Sequence, residues 1–344
     1  VNSRQLWFTQ PGTVEIRQQT LPTLKPDEVL VRTLYSGISA GTEMLVYHGQ
    51  IPSGMALDTG LETLKHHQAC FPLQYGYAAV GRIEQLGQQV DPSWSGKVVF
   101  AFQPHASHFI STPAQLIMVP EKTDPLAAVF LANTETAVSL VLDGNPQLGE
   151  KVVVLGQGIV GLLLTAILAK FPLAGLYALD RFGGRRTRAS NLGADMTCDP
   201  ESTSDLASLK KKLARESVGN GADLVYELSG VPEAINLAIE LCGYSGRIVA
   251  GSWYGTRTAG LQLGGSFHRN RIRFSSSQVS TIAPELTGRW DKARRFDTAW
   301  QMIDQIRPES LVSHRIPFDS AAKAYQLLEK TPEQALQVVF EYPG

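Results

Sequence analysis

The sequence predicts an α/β protein in which a β-rich lobe is joined to a doubly wound parallel-sheet domain. Three observations carry this. Residues 1–124 read mostly as short strands broken by Gly, Pro and Ser. From Lys151 onward, apolar strands alternate with helices, the pattern of a parallel sheet covered on both faces. The chain then ends in ALQVVFEY, a strand expected to return to the first lobe. A chain of 344 residues has room for two such domains. The expected division puts 1–124 with 285–344 in one discontinuous domain and 125–284 in the other.

The elements follow in order. VLVRTLYSGIS, AAVGRIEQLG, KVVFAF and AQLIMVP are the strands of the first lobe. Between them Gln50–Pro72 is a long irregular connection holding Pro52, Gly54, Gly60 and the pair His66–His67. Connections of that length are usually functional or disordered. Asp124 is placed to cap a helix that has Pro125 at its first position, and LAAVFLANTETAVSLVL continues at helical spacing. KVVVLG leads to a helix from Ile159 to Lys170, LYALD to one ending near Gly193, and ADLVYELSG to one from Pro232. GRIVAGSW and IRFSSSQ close the series. Helices near Arg289–Ile306 and Ser320–Lys330 flank the strand RIPF.

Composition excludes several function classes. With 43% hydrophobic residues, 18% charged and a net charge of −1, the chain offers no field for a nucleic acid. The short runs Lys210–Lys212 and Arg185–Arg186 read as solvated faces. Cys70, Cys198 and Cys242 are odd in number and scattered, which fits a reducing cytoplasm rather than a disulfide framework. VNSRQLWFTQPG lacks the profile of a signal peptide, and the apolar stretch from Ile159 to Phe171 is too short to span a membrane. The expected partner is a small-molecule substrate.

The clearest chemistry lies in VVVLGQGIVG. Gly156, Gln157, Gly158, Ile159, Val160 and Gly161 form G-x-G-x-x-G directly after an apolar strand and at the start of a helix. The first glycine allows the tight turn, the second admits a pyrophosphate close to the backbone, and the third lets the helix pack on the sheet. The helix N-terminus offers amide N–H groups and a partial positive charge to the phosphates. LYALD then ends in Asp180, at the place of the acid that accepts ribose hydroxyls. A carboxylate there favours NAD, while Arg181, Arg185 and Arg186 keep NADP possible. Ser229 and Gly230 of ELSG, with Ser252 and Trp253 of AGSW, close later strands at the same sheet edge.

A strand-rich lobe carrying SGISAGTE (Ser36–Glu43) and YGYAAVGRIEQLG (Tyr75–Gly87), followed by a nucleotide-binding domain, resembles the medium-chain dehydrogenase/reductase superfamily across essentially the whole chain. The resemblance implies a GroES-like catalytic domain built from both chain ends, a Rossmann domain between them, an active site in the cleft and a homodimer formed through the Rossmann sheets. Alcohol dehydrogenases of that superfamily carry zinc, and here the pattern departs. Where S-G-[IV]-C-G-T-D would supply a cysteine, the chain has Ser39-Ala40. Where G-H-E would supply histidine and glutamate, it has Gly76-Tyr77-Ala78. The relay histidine aligns with Leu45, and the four-cysteine structural lobe is missing. Hydroxyls are poor substitutes for thiolate and imidazole on zinc, so no zinc is expected.

Something must then polarise the carbonyl or take the alcohol proton. Ser39, Thr42 and Tyr77 stand where the ligands would be, with a core aromatic as the plain alternative for Tyr77. Glu43 takes the place of the family's organising aspartate. Glu135, amid apolar neighbours in LANTETAV, is either a solvated face residue or a buried acid, and its helix, with Asn133 and Thr134, lies near the nicotinamide in relatives. His66, His67 and Cys70, and separately His105 and His108, form no convincing ligand set and read as surface or substrate-loop groups. SGISAGTE, the NTET helix and SSQVSTI (Ser276–Ile282) resemble a zinc-lacking subgroup likened to bacteriochlorophyllide a dehydrogenases, which oxidise a secondary alcohol to a ketone with NAD. GRWDKARRF (Gly288–Phe296) reads as a substrate contact or, more commonly, a solvated helix start. The competing functions are an NADPH-dependent quinone or enone reductase and a dinucleotide-binding protein without turnover.

Overall fold

A computed structural model describes residues 1–52, 54, 69–214 and 220–343. The chain opens with the antiparallel pair β1 (Asn2–Gln10) and β2 (Thr13–Thr20). It continues through β3 (Val29–Gly37), helix α1 (Ala40–Tyr47), β4 (Ala79–Leu86), β5 (Val98–Ala101), β6 (His108–Ser111) and β7 (Leu116–Met118). Two helices follow, α2 (Pro125–Ala128) and α3 (Leu131–Gly144). Asp124 caps α2 as expected, accepting a hydrogen bond from the Leu126 N–H at 2.8 Å.

The alternating part runs β8 (Lys151–Leu155), α4 (Ile159–Leu168), β9 (Gly175–Leu179), α5 (Gly183–Asn191), β10 (Met196–Cys198), α6 (Thr203–Leu213), β11 (Ala222–Glu227), α7 (Ala234–Leu241), β12 (Cys242–Ala250) and β13 (Arg273–Ser276). Among the described residues these strands form one six-stranded sheet in the order β10-β9-β8-β11-β12-β13, every pairing parallel. Chain order reverses between β9-β8 and β11, which is the doubly wound Rossmann arrangement. The β10–α6 unit is an addition to the expected series. Lys210, Lys211 and Lys212 end α6 exposed, where positive charge suits the helix C-terminus.

Helix α8 (Lys292–Ile306), β14 (Val312–Pro317), α9 (Ala321–Lys330) and β15 (Gln337–Glu341) complete the chain. β15 pairs antiparallel with β3 and parallel with β14, so the C-terminal strand does return to the first sheet. That sheet has seven strands among the described residues, in the path β14-β15-β3-β4-β5-β7 with β6 paired to β3.

Two compact units result: Val1–Ala132 with Ile303–Gly344, and Asn133–Met302. Their limits differ from the expected breaks after 124 and 284 and fall inside α3 and α8, where helical periodicity offers no punctuation to read. Residues 125–132 join the β-rich unit because Val129 packs on β3: a Cβ added to Gly37 would meet its Cγ1 at 2.5 Å. Residues 285–302 join the parallel-sheet unit because Arg295 on α8 is buried against Glu135 on α3. The β-rich unit packs Leu6, Phe8, Tyr75, Phe318, Tyr325 and Phe340 into one core. The other packs Val153, Leu155, Leu209, Val225, Leu241 and Ile248. Each such fully buried side chain contributes about 1.5–3 kcal/mol.

Candidate active site

In the parallel-sheet unit the turn between β8 and α4 is shaped as the sequence predicts. Gly156 has φ +93°, and a Cβ there would lie 2.5 Å from the Ser229 backbone nitrogen, so only glycine fits. At Gly158 a Cβ would meet nothing within 4 Å. The space above it is open, and a side chain would fill it. Gly158 is also the N-cap of α4 and provides no side-chain cap, an arrangement that suits an anion at the helix N-terminus. Ile159 and Val160 are half-buried, while Gln157 and Gly161 are buried. These features fit the pyrophosphate of a dinucleotide.

Asp180 follows β9 and is 7% exposed. Its Oδ2 accepts the Gln157 N–H (2.8 Å) and its Oδ1 the Phe182 N–H (2.8 Å), so the acid also braces the glycine turn. A carboxylate has about four acceptor positions, which leaves capacity for ribose hydroxyls. The arginines behind it are less solvated than the sequence suggests. Arg185 lies 3.9 Å from Asp180 Oδ2, and both Arg181 and Arg185 stack on the Phe182 ring. Arg186 donates to the Asp180 carbonyl (2.7 Å) and pairs with Asp199 (2.9 Å). At the neighbouring strand ends Ser229 is exposed, and Gly230, Ser252 and Trp253 are half-buried. The Gly230 N–H donates to Ser252 Oγ at 2.9 Å.

The β-rich unit brings together the three hydroxyls expected at the metal-ligand positions. Tyr77 OH donates to Ser39 Oγ and lies 3.3 Å from Thr42 Oγ1. All three residues are half-buried, neither sealed in the core nor fully solvated. Ser39 is the N-cap of α1, so helix geometry holds it one turn from Thr42. Behind them runs a buried polar chain that sequence reasoning missed. Glu43 accepts the Ser39 N–H (2.8 Å), His105 Nε2–H (3.0 Å) and Tyr325 O–H (2.6 Å). His105 Nδ1 is 2.7 Å from Ser36 Oγ, which bonds Tyr342 OH at 2.8 Å. Burial and the Glu43 charge push the Tyr325 phenol well above its ordinary value. His105, read from sequence as a surface or loop group, is fully buried. Its ring needs Gly76, where a Cβ would stand 2.8 Å away. His108 is half-buried, 3.7 Å from Glu84.

A tetrahedral zinc is poorly served by these groups. The motif positions offer neutral hydroxyls, and the nearby Glu43 and His105 are spent on each other. Among the described residues no three His, Cys, Asp or Glu side chains gather as a metal would require. His66 and His67 lie outside the described residues, whereas Cys70 is exposed.

Glu135 is not on a solvated face. It is 3% exposed and takes two bonds from Arg295, at 3.0 and 2.7 Å. Burial raises its carboxyl above the ordinary value, and Arg295 pulls in the other direction. Arg295 is itself 1% exposed, so this part of GRWDKARRF is interior, while Arg294 stacks outside on Trp290. Asn133 and Thr134 are buried beside Glu135 on α3.

Known proteins share this fold. Residues 160–296 match the zinc-binding dehydrogenase family. D-guloside 3-dehydrogenase of Escherichia coli K12 is 24% identical over 271 residues, covering 77% of this chain and 76% of the relative. D-xylulose reductase A of Aspergillus niger is 22% identical over 362 residues, covering 94% of each. An NADH complex of an alcohol dehydrogenase from E. coli CFT073 superposes with TM-score 0.78 at 18% identity over 99% of both chains. An alcohol dehydrogenase from Thermus sp. ATN1 gives 0.75 at 21% identity over 99% of this chain and all of that one. The chain is an oxidoreductase of the dehydrogenase and reductase kind that these relatives represent. No described helix is long and apolar enough to cross a membrane.

Proposed function

We propose that the enzyme interconverts a secondary alcohol and its ketone on a polyol or sugar, using NAD(H) and no zinc. The observation that carries this reading is the hydroxyl cluster of Tyr77, Ser39 and Thr42 at the positions where relatives would hold the metal. The polyol class follows from the relatives named for D-gulosides and D-xylulose. The bacteriochlorophyllide-like subgroup implies the same alcohol-to-ketone step on another substrate, and we take the polyol. A bound nicotinamide supplies the hydride acceptor.

The protein's own residues do the rest. Ser39 and Thr42 orient the Tyr77 side chain, which, having released its own proton to solvent, takes the alcohol proton as the tyrosinate in oxidation and donates it as the phenol in reduction. Glu43 holds the Ser39 backbone through its N–H, and the buried His105–Ser36–Tyr342 chain holds Glu43. The Gly156–Gly161 turn binds the pyrophosphate, and Asp180 takes the adenosine ribose hydroxyls. Glu135, bound to Arg295, acts in this scheme as a brace for α3 rather than as an acid. The edge strand β13, exposed along its length and carrying Phe274 at 43% exposure, supports a homodimer with a second copy of the chain.

The test pairs cofactor and turnover. NADH should bind more tightly than NADPH when energy transfer from tryptophan is followed, and Tyr77→Phe should lower kcat by about 10²–10⁴ with NADH affinity unchanged. Turnover on polyols should survive a chelator, and the purified protein should carry less than one equivalent of metal. Preference for NADPH, with reduction of quinones or enones instead, would move the assignment to that reductase class. Loss of activity on metal removal would refute the hydroxyl mechanism.

A further inference from the structure

The crevice of a doubly wound sheet opens where chain order reverses. Here that point lies between β8 and β11, so its two lips are the Gly156–Gly158 turn and the loop after β11. Asp180, on the β9 side, is placed for the adenosine ribose. The lip on the β11 and β12 side therefore faces the other, nicotinamide half of a bound dinucleotide.

That second lip is organised by one side chain. Glu227 ends β11 and is fully buried. Its Oε1 accepts the Ser229 N–H at 2.7 Å and the Ser229 hydroxyl, and its Oε2 accepts the Tyr254 hydroxyl. The Gly230 N–H reaches Ser252 Oγ (2.9 Å), and the Gly251 N–H reaches the Glu227 carbonyl (3.0 Å). Two loops from adjacent strands are thus tied through a single carboxylate. They also press on the phosphate turn, since the Ser229 nitrogen is what a Cβ on Gly156 would strike. Ser229 itself faces outward, exposed. A buried carboxylate is an expensive way to close a core that an apolar residue would fill, and it is tolerated only with its acceptors satisfied. Here every donor comes from the crevice lip.

We propose that Glu227 and Tyr254 are positioning residues for the nicotinamide half of the cofactor, fixing the Leu228–Gly230 and Ser252–Tyr254 loops as one rigid wall. The proposal rests on the dinucleotide reading of the glycine turn. Tyr254→Phe removes one donor from a buried charge and frees the second loop from the first.

NADH and ADP affinities are measured together on the full chain, because ADP occupies only the phosphate turn and the Asp180 side. Tyr254→Phe should weaken NADH about tenfold and leave ADP unchanged. The comparison variant is Tyr226→Phe, one residue from Glu227 in the core, whose hydroxyl finds no partner among the described residues; it should change neither constant. If Tyr254→Phe does not fold, Glu227→Gln is read by the same pair of constants. Wild-type NADH affinity in the altered protein overturns the proposal. So does an equal loss for NADH and ADP, which marks the pair as a general stabiliser. If the unaltered protein binds neither ligand, the dinucleotide reading itself falls, and this inference with it.

Discussion

Replacing Arg295 by methionine tests how the parallel-sheet unit is held together. The guanidinium is 1% exposed and gives two bonds to Glu135 Oε1, one to the Thr281 carbonyl at 2.9 Å, one to Ser139 Oγ at 3.3 Å, and one to the Val279 carbonyl. Methionine fills part of the volume but leaves the Glu135 carboxylate, whose side chain is 4% exposed, without its counter-charge. Breaking a buried pair from one side costs about 3–5 kcal/mol. A chain of two units need not unfold in one step, so the assay is hydrogen exchange along α3 and α8, with urea unfolding beside it. Protection in those helices should fall by about that free energy. Glu135→Leu together with Arg295→Met should regain a good part of it, since the orphaned charge goes, though the two carbonyls stay without a donor. The pH dependence has a definite sign. Burial already lifts Glu135 above its ordinary 4.5, and removing Arg295 lifts it further. A carboxyl raised on folding favours the folded state below its unfolded value, and that advantage is lost as pH rises through the folded value. The Arg295→Met penalty should therefore shrink in acid and grow toward neutrality. A penalty under about 1 kcal/mol at pH 7, or a double variant no better than the single, would refute this account.

Asp180→Ala should weaken NADH by about one to two orders of magnitude, because the Gln157 and Phe182 N–H groups lose a charged acceptor together with the ribose contact. NADPH should lose less, with Arg181 and Arg185 beside the site, so the ratio of the two affinities in a fluorescence titration should collapse; an unchanged ratio would remove Asp180 from cofactor choice. Burial pushes the Cys198 thiol up to about 11 and Cys242 to about 12, so at pH 8 a disulfide reagent should titrate Cys70 and spare both in the native chain. Because these values lie above the ordinary 9.0, the stability they lend is complete below it and is lost as pH rises through 11 and 12; an unfolding midpoint flat across pH 9–12 would contradict it.

What the sequence makes legible here is whatever a short stretch decides for itself. The β8 strand, the glycine turn and Asp180 can be read because strand, turn and acid follow one another within a single βαβ unit, and the positive φ at Gly156 has one common cause. The hydroxyl cluster was also within reach, since two motifs name its members. The groups that hold these sites in place were not. His105 meets Glu43 across 62 residues, Ser36 meets Tyr342 across 306, and Arg295 meets Glu135 across 160. No periodicity connects such pairs, and a charged run such as GRWDKARRF reads the same whether its arginines face solvent or one turns inward. Composition offers no help either, because a buried ion pair and a solvated one add the same residues to the count. Glu227 shows where a signal did exist. A carboxylate closing an otherwise apolar strand, ADLVYE, has to be satisfied by something close to the strand end, and a serine two positions on supplies two of the donors. The third, Tyr254, had to come from the next strand's loop, and only the parallel pairing of β11 with β12 brings it there. Reading a buried charge as a demand for partners, rather than as a candidate reactant, would have found Glu227 and would have weighed Glu135 differently.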